Sequence, residues 1–382
     1  MSDRYVILTG AKNNAGDYLI KHRALQLFAA LRPDREIVEF DGWLPLDENQ
    51  LETINSSRAL ILTGGPALQP RMYPGIYPLV NDLDRIKVPV VSMAIGWKGA
   101  RASRSCCSDY RLTGDTVRLL RKIASSGYNS SVRDYHTLRV LQRYGFDNFV
   151  VTGCAALYSL EHLGRGLKPG GPLERISFTP GVAFARDEQQ AGRLREIVAM
   201  LRSAFPQAVL TAVFHHSVNA AHYRQTHNPN LRLVDAQQRL QAWLEREGVA
   251  WVDVSGGVEK MLNHYQQCDL HVGYRVHAHI LMASMARPTV LIAEDGRGGA
   301  LREVLGGLIV EEELENSSNL LSRLLSRLGK AGRNLLPAAE LVREVVQQVE
   351  YEQKHGYPRI SSQCMSMEKH FQIMKSYLEG LP

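Results

Sequence analysis

Residues 268–286 read Cys-Asp-Leu-His-Val-Gly-Tyr-Arg-Val-His-Ala-His-Ile-Leu-Met-Ala-Ser-Met-Ala, and the pattern changes period half-way. Leu270 and Val272 alternate with Asp269, His271 and Gly273 as in a strand, whereas Val276, Ile280, Leu281 and Met285 fall at helical spacing. Gly273 and Tyr274 mark the changeover, so Arg275, Val276 and His277 are expected at a strand-to-helix turn. In an open parallel sheet that turn lies at the carboxyl edge, where ligands bind. The free N–H groups and dipole of the new helix favour an anion there. An arginine and a histidine fixed at such a point suit an anionic substrate that also needs a proton donor or acceptor. The plainer reading, a surface ion-pair arginine and a capping or core histidine, is weakened by the crowding of His271, Arg275, His277 and His279 into nine residues.

Working outward, the same strand-then-helix unit recurs on both sides of this stretch. Strands are expected at 5–10, 36–40, 59–63, 89–95, 129–132 and 148–152, with helices near 17–31, 48–55, 77–86, 114–124, 135–144 and 155–162. Residues 164–171 (Gly-Arg-Gly-Leu-Lys-Pro-Gly-Gly) have the composition of a hinge. The pattern then restarts, with strands at 176–179, 208–214, 250–254, 270–273, 289–293 and 308–310. Helices are expected near 188–204, 236–247, 258–267, 278–285, 300–305 and 319–328, and two more, 338–353 and 367–378, finish the chain. Such alternation predicts two doubly wound, Rossmann-like α/β domains facing a cleft, at residues 1–165 and 173–335, with a helical extension over 336–382.

Composition narrows the class. A chain of 382 residues that is 45% hydrophobic suffices for two cores, and its charged and aromatic fractions are those of a soluble globular protein. No apolar run approaches the roughly 18 residues of a membrane span. The start, Met1-Ser2-Asp3-Arg4-Tyr5, lacks a signal-peptide core, and five cysteines without a CxxC do not make a secreted disulfide framework. A cytoplasmic location is therefore expected. A net charge of +6 suits anionic substrates or an anionic membrane surface. It is not gathered into a basic arm, so no nucleic-acid partner is expected.

The strand-end loops supply the chemistry. Asn13-Asn14-Ala15-Gly16-Asp17 opens the first helix but matches neither the dinucleotide fingerprint nor a Walker loop, so no nucleotide cofactor is expected. Gly16 lets a backbone approach a ligand closely. Asp17 reads equally as a base or as the N-cap of the helix. Arg133, in Ser130-Ser131-Val132-Arg133-Asp134, again follows a strand, and its planar fork fits a carboxylate or phosphate, with an internal ion pair to Asp134 as the alternative. Thr63-Gly64-Gly65-Pro66 and Asp295-Gly296-Arg297-Gly298-Gly299 are turns on the same kind of edge. His215 and His216 end another strand and read more simply as structural. Zinc is disfavoured: His277 and His279, two residues apart, would point about 200° apart on a helix, and there is no HExxH motif. A GxSxG elbow is also lacking.

Taken in order, Asn13-x-x-Gly16-Asp17, Gly64-Gly65, Ser92-x-x-x-Gly96, Ser131-Val132-Arg133-Asp134, Val151-Thr152-Gly153-Cys154 and Gly273-x-Arg275-Val276-His277 resemble the polysaccharide pyruvyl transferase family. The likeness runs over roughly residues 10–300; the remainder carries no motif of it. It implies a GT-B-like fold, phosphoenolpyruvate as donor, and a saccharide acceptor whose two hydroxyls end as a cyclic ketal in cell-surface polysaccharide. A lipid-linked acceptor would bring the protein to the inner membrane face. His277 and Asp17 would be catalytic, with Arg133, Arg275, Val276, Asn13, Gly16, Gly65 and His279 on the substrates. The family's Arg-Leu-His reads Arg275-Val276-His277, and Cys154-Ala155-Ala156 stand where many members place an acid or a proline. The rivals are a GT-B glycosyltransferase using a nucleotide sugar, for which Glu294 and Asp295 could serve a ribose, and a catalytically silent binder of anionic saccharide.

Overall fold

The computed structural model describes residues 3–99, 104–166, 171–226, 229–312 and 335–382. Among the described residues twelve strands alternate with helices: β1 Arg4–Thr9, β2 Glu36–Asp41, β3 Ala59–Thr63, β4 Val90–Met93, β5 Ser130–Val132, β6 Phe149–Val151, β7 Arg175–Thr179, β8 Val209–Phe214, β9 Ala250–Asp253, β10 Leu270–Gly273, β11 Thr289–Ala293 and β12 Leu308–Glu311. Every pairing is parallel. The first sheet runs β2-β1-β3-β4, and a bridge between Ile95 and Val132 carries it on to the pair β5-β6. The second runs β12-β11-β10-β7-β8-β9.

The central strands form because their residues are apolar on both sides. Tyr5–Leu8, Ala59–Leu62 and Thr289–Ala293 are continuous buried runs, as a sheet covered on both faces demands. In the first sheet the winding reverses between β1 and β3, and in the second between β7 and β10. A crevice opens at the carboxyl ends of the strands at such a reversal. Both crevices face the junction of the two sheets. The loop after β1 is stitched to the second half: Ala15 N–H donates to His215 O at 2.9 Å, and Gly256 N–H donates to Asn13 O at 2.8 Å.

The last helix, Pro358–Glu379, crosses back to the first half. Met374, Tyr377 and Leu378 are buried in the first hydrophobic core, and the Tyr377 hydroxyl donates to Ser92 O at 2.9 Å. Among the described residues no helix is long and apolar enough to cross a membrane.

Two expected helices are not formed. Over 77–86 there is only a single turn, Leu83–Arg85, because Leu79 takes a positive φ of 47° and its carbonyl accepts the Leu46 N–H instead. Over 155–162 only Ala155–Leu157 makes a short turn, after which the Tyr158 hydroxyl reaches back to the Thr152 carbonyl. The expected helix 319–328 lies outside the described residues.

Candidate active site

The turn after β10 is built by close backbone approach. Gly273 adopts φ 149°, and a side chain there would collide with Thr179 of β7, so the two strand ends touch. Thr179 Oγ1 then accepts the N–H of Arg275, the residue that caps the helix Val276–Ser284. Arg275 Nη2 reaches across to Asn14 Oδ1 at 3.2 Å, a neutral acceptor on the loop after β1. Burial lowers the proton affinity of the guanidinium, and the nearby charges of Glu294 and Asp17 oppose that.

His277 lies one helical residue further on, against Gly16. A methyl group on Gly16 would come within 2.3 Å of His277 Nδ1, so only glycine admits the imidazole. The other ring nitrogen, Nε2, is buried without a hydrogen-bond partner among the described residues. Burial, then the guanidinium groups of Arg133, Arg297 and Arg275, hold the imidazole down at about 3, far below its ordinary value. Three cations, one from the first half and two from the second, lie close enough to a single imidazole to oppose its protonation.

Arg133 comes from the end of β5. Its Nε stands 3.3 Å from Asp134 Oδ2, and its Nη2 donates to Trp97 O at 3.2 Å. The ion pair to Asp134 does form, but Asp134 is also occupied as an N-cap, accepting the Thr137 N–H at 2.7 Å. Gly96 makes room for the guanidinium: a side chain there would meet Arg133 Nε at 2.0 Å. Arg297, in the turn after β11, is held by Asp295 in a forked pair, with Nη2 at 2.7 Å from Oδ2 and Nε at 3.0 Å from Oδ1.

Asp17 is not the helix cap. Asn14 caps the helix Ala15–Leu31, its Oδ1 accepting the Gly16 N–H, so the Asp17 carboxyl in the first turn is not used as the cap. Burial pushes that carboxyl up to about 6, against a hydrogen bond from Asn14 and the charges of Arg275 and Arg297. Arg133 and Asp17 also act on the buried thiol of Cys154, although burial is the larger influence and raises it. Asp17, Gly65 and the loop after β3 line a small pocket of about 70 Å³.

Of the residues singled out in the sequence, the structure brings together His277, Asp17, Arg133, Arg275 and Gly16, with Gly65 on the adjoining pocket. Three stand elsewhere. His279 turns to the far side of its helix, where Nδ1 meets Thr289 Oγ1 at 3.0 Å and Nε2 meets Gln363, so it ties the helix to β11 and the last helix. Asn13 is an internal tie: its Oδ1 accepts the Ser217 N–H at 3.0 Å, while its Nδ2 is buried and unpartnered among the described residues. Val276 packs against the first core. Arg297 is a site residue that the sequence does not single out: its glycine-rich turn resembles many loops, and its one signal is its place after a strand. His271 spends both ring nitrogens on Thr179 and Thr289. Among the described residues no cluster of His, Cys, Asp or Glu could hold a metal ion.

Comparison with known proteins agrees with this frame. A family model for polysaccharide pyruvyl transferase matches residues 14–296, most of the chain, and the chain belongs to that family. No curated protein matches the sequence. Among solved structures, similar folds include a candidate UDP-N-acetylglucosamine 2-epimerase from Listeria monocytogenes (12% identity, 98% of this chain and 95% of that one, TM-score 0.55). They also include MnaA of S. aureus with UDP (11%, 99% and 97%, TM-score 0.52) and UDP-GlcNAc 2-epimerase from Neisseria meningitidis bound to UDP-GlcNAc (10%, 98% and 99%, TM-score 0.50). At such identities the likeness concerns the fold alone: two Rossmann-like halves of GT-B type.

Proposed function

We propose that the chain transfers pyruvate from phosphoenolpyruvate to two hydroxyls of a saccharide, forming a cyclic ketal in cell-surface polysaccharide biosynthesis. The observation behind this is the convergence of Arg133, Arg275 and Arg297 on His277, with Asp17 alongside. Phosphoenolpyruvate is small and carries both a carboxylate and a phosphate. Guanidinium groups from two sides of a cleft suit such a molecule, because each can donate two parallel hydrogen bonds.

Reaction begins with a proton added to the methylene carbon, leaving an oxocarbenium-like centre at C2. One acceptor hydroxyl attacks C2, the C2–O bond to phosphate then breaks, and the second hydroxyl closes the ketal. Of the two protons released by the hydroxyls, one balances that gained by the methyl group and the other leaves with phosphate. His277 is the proton donor in this scheme. Burial first and then the arginines keep it neutral; a multiply charged anion among them cancels their field and raises its proton affinity when the donor arrives. Asp17 takes the proton from the attacking hydroxyl. The acceptor, lipid-linked or free, would meet the protein on the cytoplasmic side, where phosphoenolpyruvate is made, as a peripheral membrane contact or in solution.

A nucleotide-sugar glycosyltransferase is the second reading, since proteins of similar fold carry UDP or UDP-GlcNAc. The acids it would offer a ribose are engaged: Glu294 accepts the Val182 and Ala183 N–H groups, and Asp295 holds Arg297. The test is acceptor-dependent release of phosphate from phosphoenolpyruvate, with thermal-shift titrations of phosphoenolpyruvate and UDP run in parallel. Phosphate release and stabilisation by phosphoenolpyruvate support the transfer. Stabilisation by UDP alone, without phosphate release, favours the rival.

A further inference from the structure

The two histidines that follow β8 are used differently. His215 is buried and spends its Nε2 on the Tyr265 hydroxyl at 2.8 Å. His216 comes next, and its Nδ1 is buried with no hydrogen-bond partner among the described residues. A polar nitrogen withdrawn from water normally has a partner, so this one points to a group that arrives with a ligand. The residue is held in place on both sides. Gln237 Nε2 donates to the His216 carbonyl at 2.8 Å, and the ring meets Tyr223 edge-on, with centroids 5.8 Å apart.

Two hydrogen bonds to the loop after β1 fix where this ring lies. The Ala15 N–H donates to His215 O at 2.9 Å, and the Ser217 N–H donates to Asn13 Oδ1 at 3.0 Å. His216 is the residue between those contacts, and Asn14, which accepts from Arg275, is the residue between their partners. β8 also pairs with β7, and β7 with β10, so the three strand ends share one carboxyl edge. Burial first, then Arg275 and Arg297, push the His216 imidazole well below its ordinary value. Tyr223, whose hydroxyl burial pushes up, lies in the field of Arg275 too, and His215 is the other titratable neighbour.

We propose that His216 is a second proton carrier of the site, touching the phosphate of the donor and protonating it as it departs. This rests on the reading of the chain as a phosphoenolpyruvate-dependent pyruvyl transferase. That scheme needs such a group. When the C2–O bond to phosphate breaks, His277 has already given its proton to the methylene carbon, and Asp17 has taken the one from the first hydroxyl. The bridging oxygen keeps the bonding pair and takes the His216 proton, and hydrogen phosphate leaves. The second hydroxyl then closes the ketal, and its proton restores His216. A doubly negative phosphate between Arg275 and Arg297 cancels the field that keeps the ring neutral, so the proton is loaded as the donor binds.

The test uses the full chain with histidine labelled at both ring nitrogens for NMR, titrated with phosphoenolpyruvate and separately with inorganic phosphate. Calorimetry in buffers of different ionisation enthalpy counts the protons taken up by the parent, His216→Gln and His216→Ala. On saturation with phosphoenolpyruvate the His216 ring should become an imidazolium, and His216→Gln should take up about one proton fewer than the parent. Inorganic phosphate should bind about tenfold more weakly to His216→Ala, with His216→Gln between the two because its amide can still donate. A merely structural histidine would leave proton uptake unmoved. An unchanged His216 resonance with both ligands, or equal proton uptake by the parent and His216→Gln, overturns the proposal. The parent's resonance, identified through the Tyr223 ring beside it, decides the matter even where a variant fails to fold. If phosphoenolpyruvate binds and only His277 becomes charged, this inference falls and the donor reading stands. If inorganic phosphate engages His216 while phosphoenolpyruvate does not bind, the donor reading falls and the phosphate contact stands. Binding of neither ligand ends both.

Discussion

His277 and Asp17 lie beside the same cations and are displaced from their ordinary behaviour in opposite directions, both by burial first. The imidazole at about 3 is a poor acid-in-waiting until an anion arrives, so NMR titration should find it neutral at pH 6 in the free protein, with its pKa rising on addition of phosphoenolpyruvate. No rise would remove it as proton donor. His277→Ala should lower kcat by about 10²–10⁴-fold while donor binding survives; untouched turnover would sink the assignment. Asp17 acts as a base only when ionised, so kcat/KM should fall as pH drops through about 6. Its stability effect has the opposite sign. The folded protein holds this proton up to about 6 and a free carboxyl only to 3.8, so stability falls as pH rises through that window. Asp17→Asn should therefore raise stability near pH 8, by roughly 1–2 kcal/mol, while turnover is lost. A lower melting temperature for that variant would contradict a carboxyl ionised at a cost to the fold.

At the scale of elements, the site depends on two glycines that admit functional side chains. Gly16 sits in the first turn of a helix, where alanine is normally the better residue by roughly 0.5–1 kcal/mol. Its missing side chain is filled by the His277 ring. Gly16→Ala should leave helix content intact by circular dichroism yet cut turnover at least about tenfold, a barrier increase of roughly 1.4 kcal/mol; full activity would mean that the imidazole is not held here. Much of this arrangement was legible in the sequence. The strand at 270–273 and the turn to Arg275 and His277 follow from a change of period, and the buried strands from short apolar runs ending in glycine or threonine. What escaped was what tertiary contact decides. Arg297 joins the cluster only because β11 lies beside β10. His279 was misjudged by counting neighbours along the chain: two residues from His277 on a helix is nearly the opposite face, a geometry weighed for zinc but equally decisive for a substrate. Asn13 had the right position and a different task, since its short amide reaches the Ser217 backbone.

Across the whole molecule, a helix from the end of the chain fastens the first half. Arg32 Nη1 donates to the carbonyls of Leu378 and Leu381, and Met374 is fully buried. Met374→Ala should cost about 2–5 kcal/mol of stability, measured by denaturant unfolding, and a change within error would show that this helix contributes little. The halves are also joined through the site, by Arg275 to Asn14 and by the backbone bonds around Asn13 and Ala15. A single anion held from both sides is therefore the claim on which the proposed chemistry turns. Calorimetric titration of phosphoenolpyruvate into the parent, Arg133→Ala and Arg275→Ala tests it most directly. Each variant is expected to bind at least about tenfold more weakly, roughly 1.4 kcal/mol, although the two arginines come from different sheets; unchanged affinity in both would contradict it.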